Sequence, residues 1–178
     1  MKCRLLSLMI IVALTGAFFF FSCRKDKMQD SYSIVKKNGR WLLLRNNDPY
    51  YIKGAAAGRF YDKVKAHGGN SVRFFDNFQH NLDSARKYNL TALFNLPFRG
   101  EREGMDFKDR ARVEDEKKRI IDTVRKYMHH PALMLWSVGN ELDYVPGGDH
   151  NMKLWTAVNE LAGKIHEIDP AHPVMTVV

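Results

Sequence analysis

Cysteine is nearly absent from this chain: there are two, Cys3 and Cys23, both within the first 23 residues. The folded part cannot depend on disulfides, even if it is exported. Phosphate-cradling loops are missing too. No Gly-x-Gly-x-x-Gly and no P-loop stands at any predicted strand end, which argues against a nucleotide-binding domain. No arginine-rich tract is interleaved with aromatics. The formal charge is +8, and Lys2 and Arg4 contribute two of it, leaving 8 − 2 = +6 beyond the first residues. Much of this charge sits beside acids, as in Arg110-Ala111-Arg112-Val113-Glu114-Asp115-Glu116-Lys117-Lys118-Arg119. That pattern is a solvated helix face, so no nucleic-acid partner is expected. His129-His130 lies at a helix end before Pro131 and reads as capping or solvated. His166 and Glu167 do not complete a His-Glu-x-x-His motif, because Asp169-Pro170 follows. No metal and no cofactor is expected.

What is present begins with a leader. Lys2 and Arg4 precede an apolar run from Leu5 to Phe21, broken only by Ser7, Thr15 and Gly16. Ser22-Cys23 and the charged Arg24-Lys25-Asp26-Lys27 follow. This is the layout of a secretory signal. The box Phe20-Phe21-Ser22-Cys23 resembles a bacterial lipoprotein site, which implies lipid attachment at Cys23 and an exported protein on the periplasmic or cell-surface face of a membrane. The plainer alternative is an uncleaved anchor helix, since the run is close to bilayer length. The reading therefore gives a signal over 1–22, a polar tether over 23–33, a β-hairpin lead-in over 34–52 and an α/β domain over 53–178.

Asn38-Gly39 between two β-prone runs signals a hairpin. Asn47-Asp48-Pro49 reads as a second turn, and Tyr50 to Gly54 as a further strand. A regular alternation follows. Phe60 to Ala66 is a short helix closed by His67-Gly68-Gly69, and Ser71 to Phe75 a strand. Gln79 to Tyr88 is a helix, Thr91 to Leu96 a strand, and Lys108 to Met128 a long amphipathic helix. Ala132 to Val138 is an apolar run of strand length, bounded by Pro131 and Gly139, and reads as buried on both faces. Met152 to Ile168 is helical and Val174 to Val178 opens a last strand. Trp136 and Trp155 read as core. The order β-α-β-α-β-α-β-α-β implies a parallel sheet. The 178 residues suffice for one domain but not for the roughly 250 of a complete (β/α)8 barrel. An incomplete TIM barrel of about five strands is expected.

The stretch His130-Pro131 through Asn140-Glu141 puts a carboxylate just past a buried strand, where α/β barrels place catalytic groups. Three stretches together resemble the catalytic barrel of clan A glycoside hydrolases, with the family 2 type (β-galactosidase, β-glucuronidase, β-mannosidase) most similar. They are Asn47 to Gly54, His67 to Arg73, and His130 to Glu141. The resemblance implies a retaining glycosidase acting on oligo- or polysaccharide by double displacement. Glu141 matches the acid/base, Asn140 the contact to the sugar 2-hydroxyl, and Arg73 the arginine that orients the nucleophile. Against these stand a loop carboxylate for Glu141 and a structural ion pair for Arg73. Asp76, on the same rim as Arg73, reads as an arginine partner or a sugar contact, and Asp143 and Tyr144 as further substrate contacts.

The family's nucleophile is a glutamate on the seventh strand, so these residues are expected to lack it and to be inactive alone. Where the family often has a histidine after strand one, Ala55-Ala56-Ala57-Gly58 stands. The five-strand arc is expected to leave Val72, Leu93 and Leu135 uncovered, with aggregation or oligomers as the result. A non-catalytic carbohydrate-binding or degenerate lipoprotein, and a clan A transglycosylase, are the rival functions.

Overall fold

The computed structural model describes residues 29–144 and 151–178. The leader and Cys23 lie outside them. No helix among the described residues is long and apolar enough to cross a membrane.

Strands β1 (Tyr32–Lys37) and β2 (Arg40–Arg45) pair antiparallel. Asn38 and Gly39 join them with φ of 50° and 76°, as a two-residue hairpin turn requires. The second turn falls earlier than its sequence reading. Asn46 and Asn47 carry the positive φ, 53° and 70°, and Asp48–Pro49 is already a short strand, β3, paired with β2. Asparagine tolerates the left-handed region, and proline is accepted on a sheet edge.

The strand read over Tyr50 to Gly54 is also displaced: β4 spans Gly54–Ala56. The Asn70 side chain instead holds the backbone ahead of it, donating to the Tyr51 carbonyl and accepting from the Lys53 N–H, both at 2.8 Å. With these groups satisfied by a side chain, the segment needs no ladder. Gly54 is required where it stands, since a Cβ there would lie 2.6 Å from the Ser71 carbonyl oxygen.

From β4 the alternation holds. Strands β4, β5 (Ser71–Phe74), β6 (Thr91–Leu96), β7 (Leu133–Val138) and β8 (Val174–Met175) form one parallel sheet in chain order. Helices α1 (Tyr61–Ala66), α2 (Phe78–Lys87), α3 (Arg110–Tyr127) and α4 (Met152–Ile168) make the connections. The Asp109 carboxylate accepts from Arg112 N–H to cap α3, and the Asn151 side chain accepts from Lys153 N–H to cap α4. Strand β7 is buried at all six positions, as its unbroken apolar run demands.

One face of the sheet meets the helices. Val72, Phe74, Phe94, Leu96, Trp136 and Val138 join the apolar stripes of all four helices in one cluster. Phe78 stacks on Phe94 at 4.4 Å between centroids, and Trp136 lies 5.0 Å from Phe94. Full burial of each such ring stabilises by roughly 2–3 kcal/mol. On the opposite face Met134 and Leu135 pack with Tyr32, flanked by Leu43, Tyr50 and Leu93. The hairpin therefore covers part of that face. This corrects the expectation for Val72, which is 1% exposed on the helix side, and for Leu135, which is 5% exposed beneath the hairpin. Strand periodicity puts Val72 and Arg73 on opposite faces.

Past α4 the chain makes a buried polar contact that its sequence did not announce. The Trp136 indole donates to Asp169 Oδ2 at 2.7 Å, and His172 Nδ1 lies 2.9 Å from both Asp169 oxygens. All three residues are buried, and the cluster ties β7 to the turn before β8.

Candidate active site

Ligands of parallel α/β sheets bind outside the carboxyl ends of the strands. Here that edge carries Arg73 from β5, Asn95 from β6, and Asn140 and Glu141 beyond β7. Pairing sets Arg73 beside Leu93 and Asn95 beside Ser137, so Arg73 and Asn95 share the face away from the helices.

Arg73 is the hub. Its Nη2 donates to Asn95 Oδ1 at 2.6 Å and to Asn140 Oδ1 at 2.9 Å. Its guanidinium lies 4.7 Å from the Phe75 ring centroid. Burial lowers its pKa, and the charge of Glu141 pulls the other way. It remains a cation, as arginine does throughout the physiological range. Its Nε is buried with no partner among the described residues. Because Asn140 spends its carbonyl oxygen on Arg73, its amide N–H groups are left to donate elsewhere.

Glu141 is held by its backbone. Gly139 has φ of 68°, and a Cβ there would meet the Leu142 side chain at 2.6 Å. Glu141 itself is left-handed, with φ of 46°. Its N–H donates to the Val177 carbonyl at 2.9 Å, and its own carbonyl accepts from Tyr144 N–H at 3.1 Å. A left-handed glutamate is uncommon, and such strain gathers at functional sites. The side chain is 56% exposed and its Oε2 lies 3.6 Å from Arg102 Nη1.

Arg102 sits on a single 3-10 turn, Glu101–Glu103, after β6. It donates to Glu103 Oε1 at 2.9 Å and lies 5.4 Å from the Tyr144 ring. Burial raises the Glu103 pKa, but Arg102 and the Gly100 N–H outweigh it and hold the carboxyl below its usual range. Among the described residues no three His, Cys, Asp or Glu side chains converge as metal ligands would.

No family model matches this chain. A putative β-glucuronidase of Formosa agariphila is 29% identical over 58 residues, 31% of this chain and 7% of that protein. Among solved structures, the Parabacteroides merdae β-glucuronidase superposes with a TM-score of 0.62 at 17% identity, over 83% of this chain and 20% of its own. A β-D-mannosidase from Dictyoglomus thermophilum gives 0.62 at 13% identity, over 83% and 22%. The endo-1,4-β-mannanase of Rhizomucor miehei gives 0.59 at 13%, over 82% and 59%. The chain thus has the fold found in part of these glycosidases, and it spans less than two thirds of each, about a fifth of the β-glucuronidase and the β-D-mannosidase.

The structure brings Arg73, Asn140 and Glu141 to one edge, with Tyr144 beside Arg102. Asp143 is half-buried next to them. Of the two roles read for Asp76, that of arginine partner is not met: exposed after β5, it forms no ion pair with any described residue. Arg73 turns toward the two asparagines instead, and the Asp76 backbone carbonyl accepts from Asn81. Asn95 and Arg102 escaped the sequence reading. Asn95 left a usable signal, a polar side chain inside the apolar run Thr91 to Leu96. Arg102 left none, because its neighbours look like ordinary loop charges.

Proposed function

We propose that these residues form the first strands of an incomplete clan A (β/α)8 barrel, and that the chain is a retaining glycoside hydrolase of the family 2 type. The observation that carries the reading is Glu141, left-handed and half-exposed at the end of a fully buried parallel strand, beside an asparagine clamped by Arg73. In this proposal the protonated Glu141 carboxyl gives its proton to the glycosidic oxygen as the bond to the anomeric carbon breaks. A second carboxylate attacks that carbon and forms a glycosyl ester. Glu141, now ionised, takes a proton from water, which displaces the ester and frees the sugar. Asn140 donates its free amide N–H to the sugar 2-hydroxyl. Arg73 lies under the nucleophile and keeps it ionised. Asp76, Asp143 and Tyr144 are proposed as rim contacts to the sugar.

The second carboxylate is proposed to lie on a later strand, so that residues 1–178 alone bind sugar without turnover. The same proposal keeps 1–22 as an exported leader, 23–33 as tether, 34–52 as hairpin and 53–178 as barrel, with Cys23 carrying a lipid. Its support is the sequence of the leader alone.

The test uses a barrel that carries both carboxylates. Loss of a hydrogen bond to a charged or reacting group costs roughly 1.5–3 kcal/mol, about ten- to a hundredfold in rate. Asn140→Ala is expected to lose that much on 2-hydroxy sugars and little on 2-deoxy analogues. Arg73→Ala should slow all substrates alike. Equal losses on 2-hydroxy and 2-deoxy sugars for Asn140→Ala would contradict the assignment.

A further inference from the structure

Among the described residues, only two that are neither glycine nor asparagine have positive φ: Glu141, and Phe60 at 61°. For a bulky aromatic this is a true outlier. Phe60 lies in the connection from β4 to α1, on the same carboxyl edge of the sheet as Glu141. The strain is not repaid by burial, since the ring is 61% exposed.

The neighbouring residues show how it is enforced. Tyr61 is 3% exposed, and its hydroxyl donates to the Ala57 carbonyl at 3.1 Å. Ala57 N–H donates to the Arg73 carbonyl at 2.9 Å, which fastens the loop to β5. The Phe60 carbonyl accepts from Lys63 and Val64 at the start of α1. With Tyr61 drawn inward and α1 begun, Phe60 is forced outward. Its exposed ring has the Arg59 guanidinium 5.0 Å from its centroid. Two other exposed aromatics on this edge are matched the same way, Phe75 by Arg73 and Tyr144 by Arg102.

An exposed ring on a fixed backbone, with a fork of N–H donors against it, suits a pyranose, which has an apolar C–H face and a rim of hydroxyls. We propose that Phe60 and Arg59 form a sugar-binding subsite, in which one pyranose ring stacks on Phe60 while Arg59 donates to its oxygens. Three strand spacings separate β4 from β7, about 14 Å along the sheet. That distance is longer than one pyranose unit, so the ring held at Phe60 lies a few units along the same chain from the one at Glu141, and the substrate is an oligosaccharide. This rests on the glycosidase reading given above.

The experiment titrates the full chain with two β-1,4-linked trisaccharides, of mannose and of glucuronic acid, followed by NMR, alongside thermal melts. Phe60→Gly should weaken binding of the trisaccharide that binds by about tenfold, as loss of one aromatic contact does. It should also raise Tm by about 1–3 °C, because glycine accepts the left-handed backbone without strain. Phe60→Asn, which keeps that backbone, should lose the same binding. Preference for the uronic sugar, lost in Arg59→Gln, would assign Arg59 to a carboxylate; loss of both sugars would assign it to hydroxyls. A lower Tm in Phe60→Gly, or wild-type affinity in both Phe60 variants, would overturn the subsite. If Arg73→Ala loses binding while Phe60→Gly keeps it, the subsite falls and the glycosidase reading stands. Failure of the unaltered chain to bind either sugar would count against both.

Discussion

Asp169→Ala is expected to destabilise the fold by about 3–5 kcal/mol. The carboxylate is 4% exposed and accepts from the Trp136 indole at 2.7 Å, with His172 Nδ1 at 2.9 Å. His172 is 1% exposed and Trp136 fully buried, so neither ring can turn to water instead. Truncation leaves two buried donors unpaired, each costing roughly 1–3 kcal/mol, and adds a small cavity. For a domain of this size each kcal/mol moves Tm by about 2–4 °C, so a fall of roughly 6–20 °C is expected. Urea melts followed by tryptophan fluorescence give the same quantity at 25 °C. Asp169→Asn keeps one acceptor and should lose about half as much. Trp136→Phe removes the indole donor, so the double variant should couple by about 1 kcal/mol or more. Burial raises the Asp169 pKa, but the His172 and Trp136 bonds outweigh it and hold the carboxyl below its ordinary value. A depressed folded pKa contributes stability that is present above the unfolded value, near pH 4, and is lost as pH falls through the folded one. The gap between the native chain and Asp169→Asn should therefore close in acid. A loss under about 1 kcal/mol, or strict additivity with Trp136→Phe, would refute the reasoning.

Glu116 offers a second acid-sensitive contact: its side chain is 1% exposed between Arg99 and Arg119, at 2.9 and 2.7 Å. Burial raises its pKa, but the two arginines outweigh this and bring it down from 4.5 to about 2. Allowing for the half-exposed arginines, Glu116→Gln should cost about 2–3 kcal/mol at neutral pH, read by urea denaturation. That difference should be full above pH 4.5 and vanish toward pH 2. For export, Cys23→Ala should block labelling by a fatty-acid analogue; unchanged labelling would remove the lipid from the account.

Most of the parallel sheet was legible in the sequence because its signals are local. Thr91 to Leu96 and Met152 to Ile168 fall where hydrophobic period and punctuation put them. The misreadings arose where a distant side chain decides the backbone. Tyr50 to Lys53 looks like a strand, yet the Asn70 side chain takes up the Tyr51 carbonyl and the Lys53 N–H. Val72 was assigned to the wrong face because a burial pattern alone does not say which of two buried faces meets the helices. The covering of Leu135 by Tyr32 depends on a contact across the whole domain. In the site, Arg73, Asn140 and Glu141 were readable from motif and position. The Asn95 and Arg102 contacts were not, since both depend on how neighbouring strand ends and loops meet.

The claim that Glu141 is the acid/base is tested most directly by the leaving-group dependence of Glu141→Ala in a barrel carrying both carboxylates. Only glycosides with poor leaving groups need the proton, so the variant should slow them by orders of magnitude more than activated aryl glycosides. Azide should restore turnover of the activated substrates by attacking the glycosyl ester in place of water. Equal slowing of both kinds of substrate, with no rescue by azide, would contradict the account.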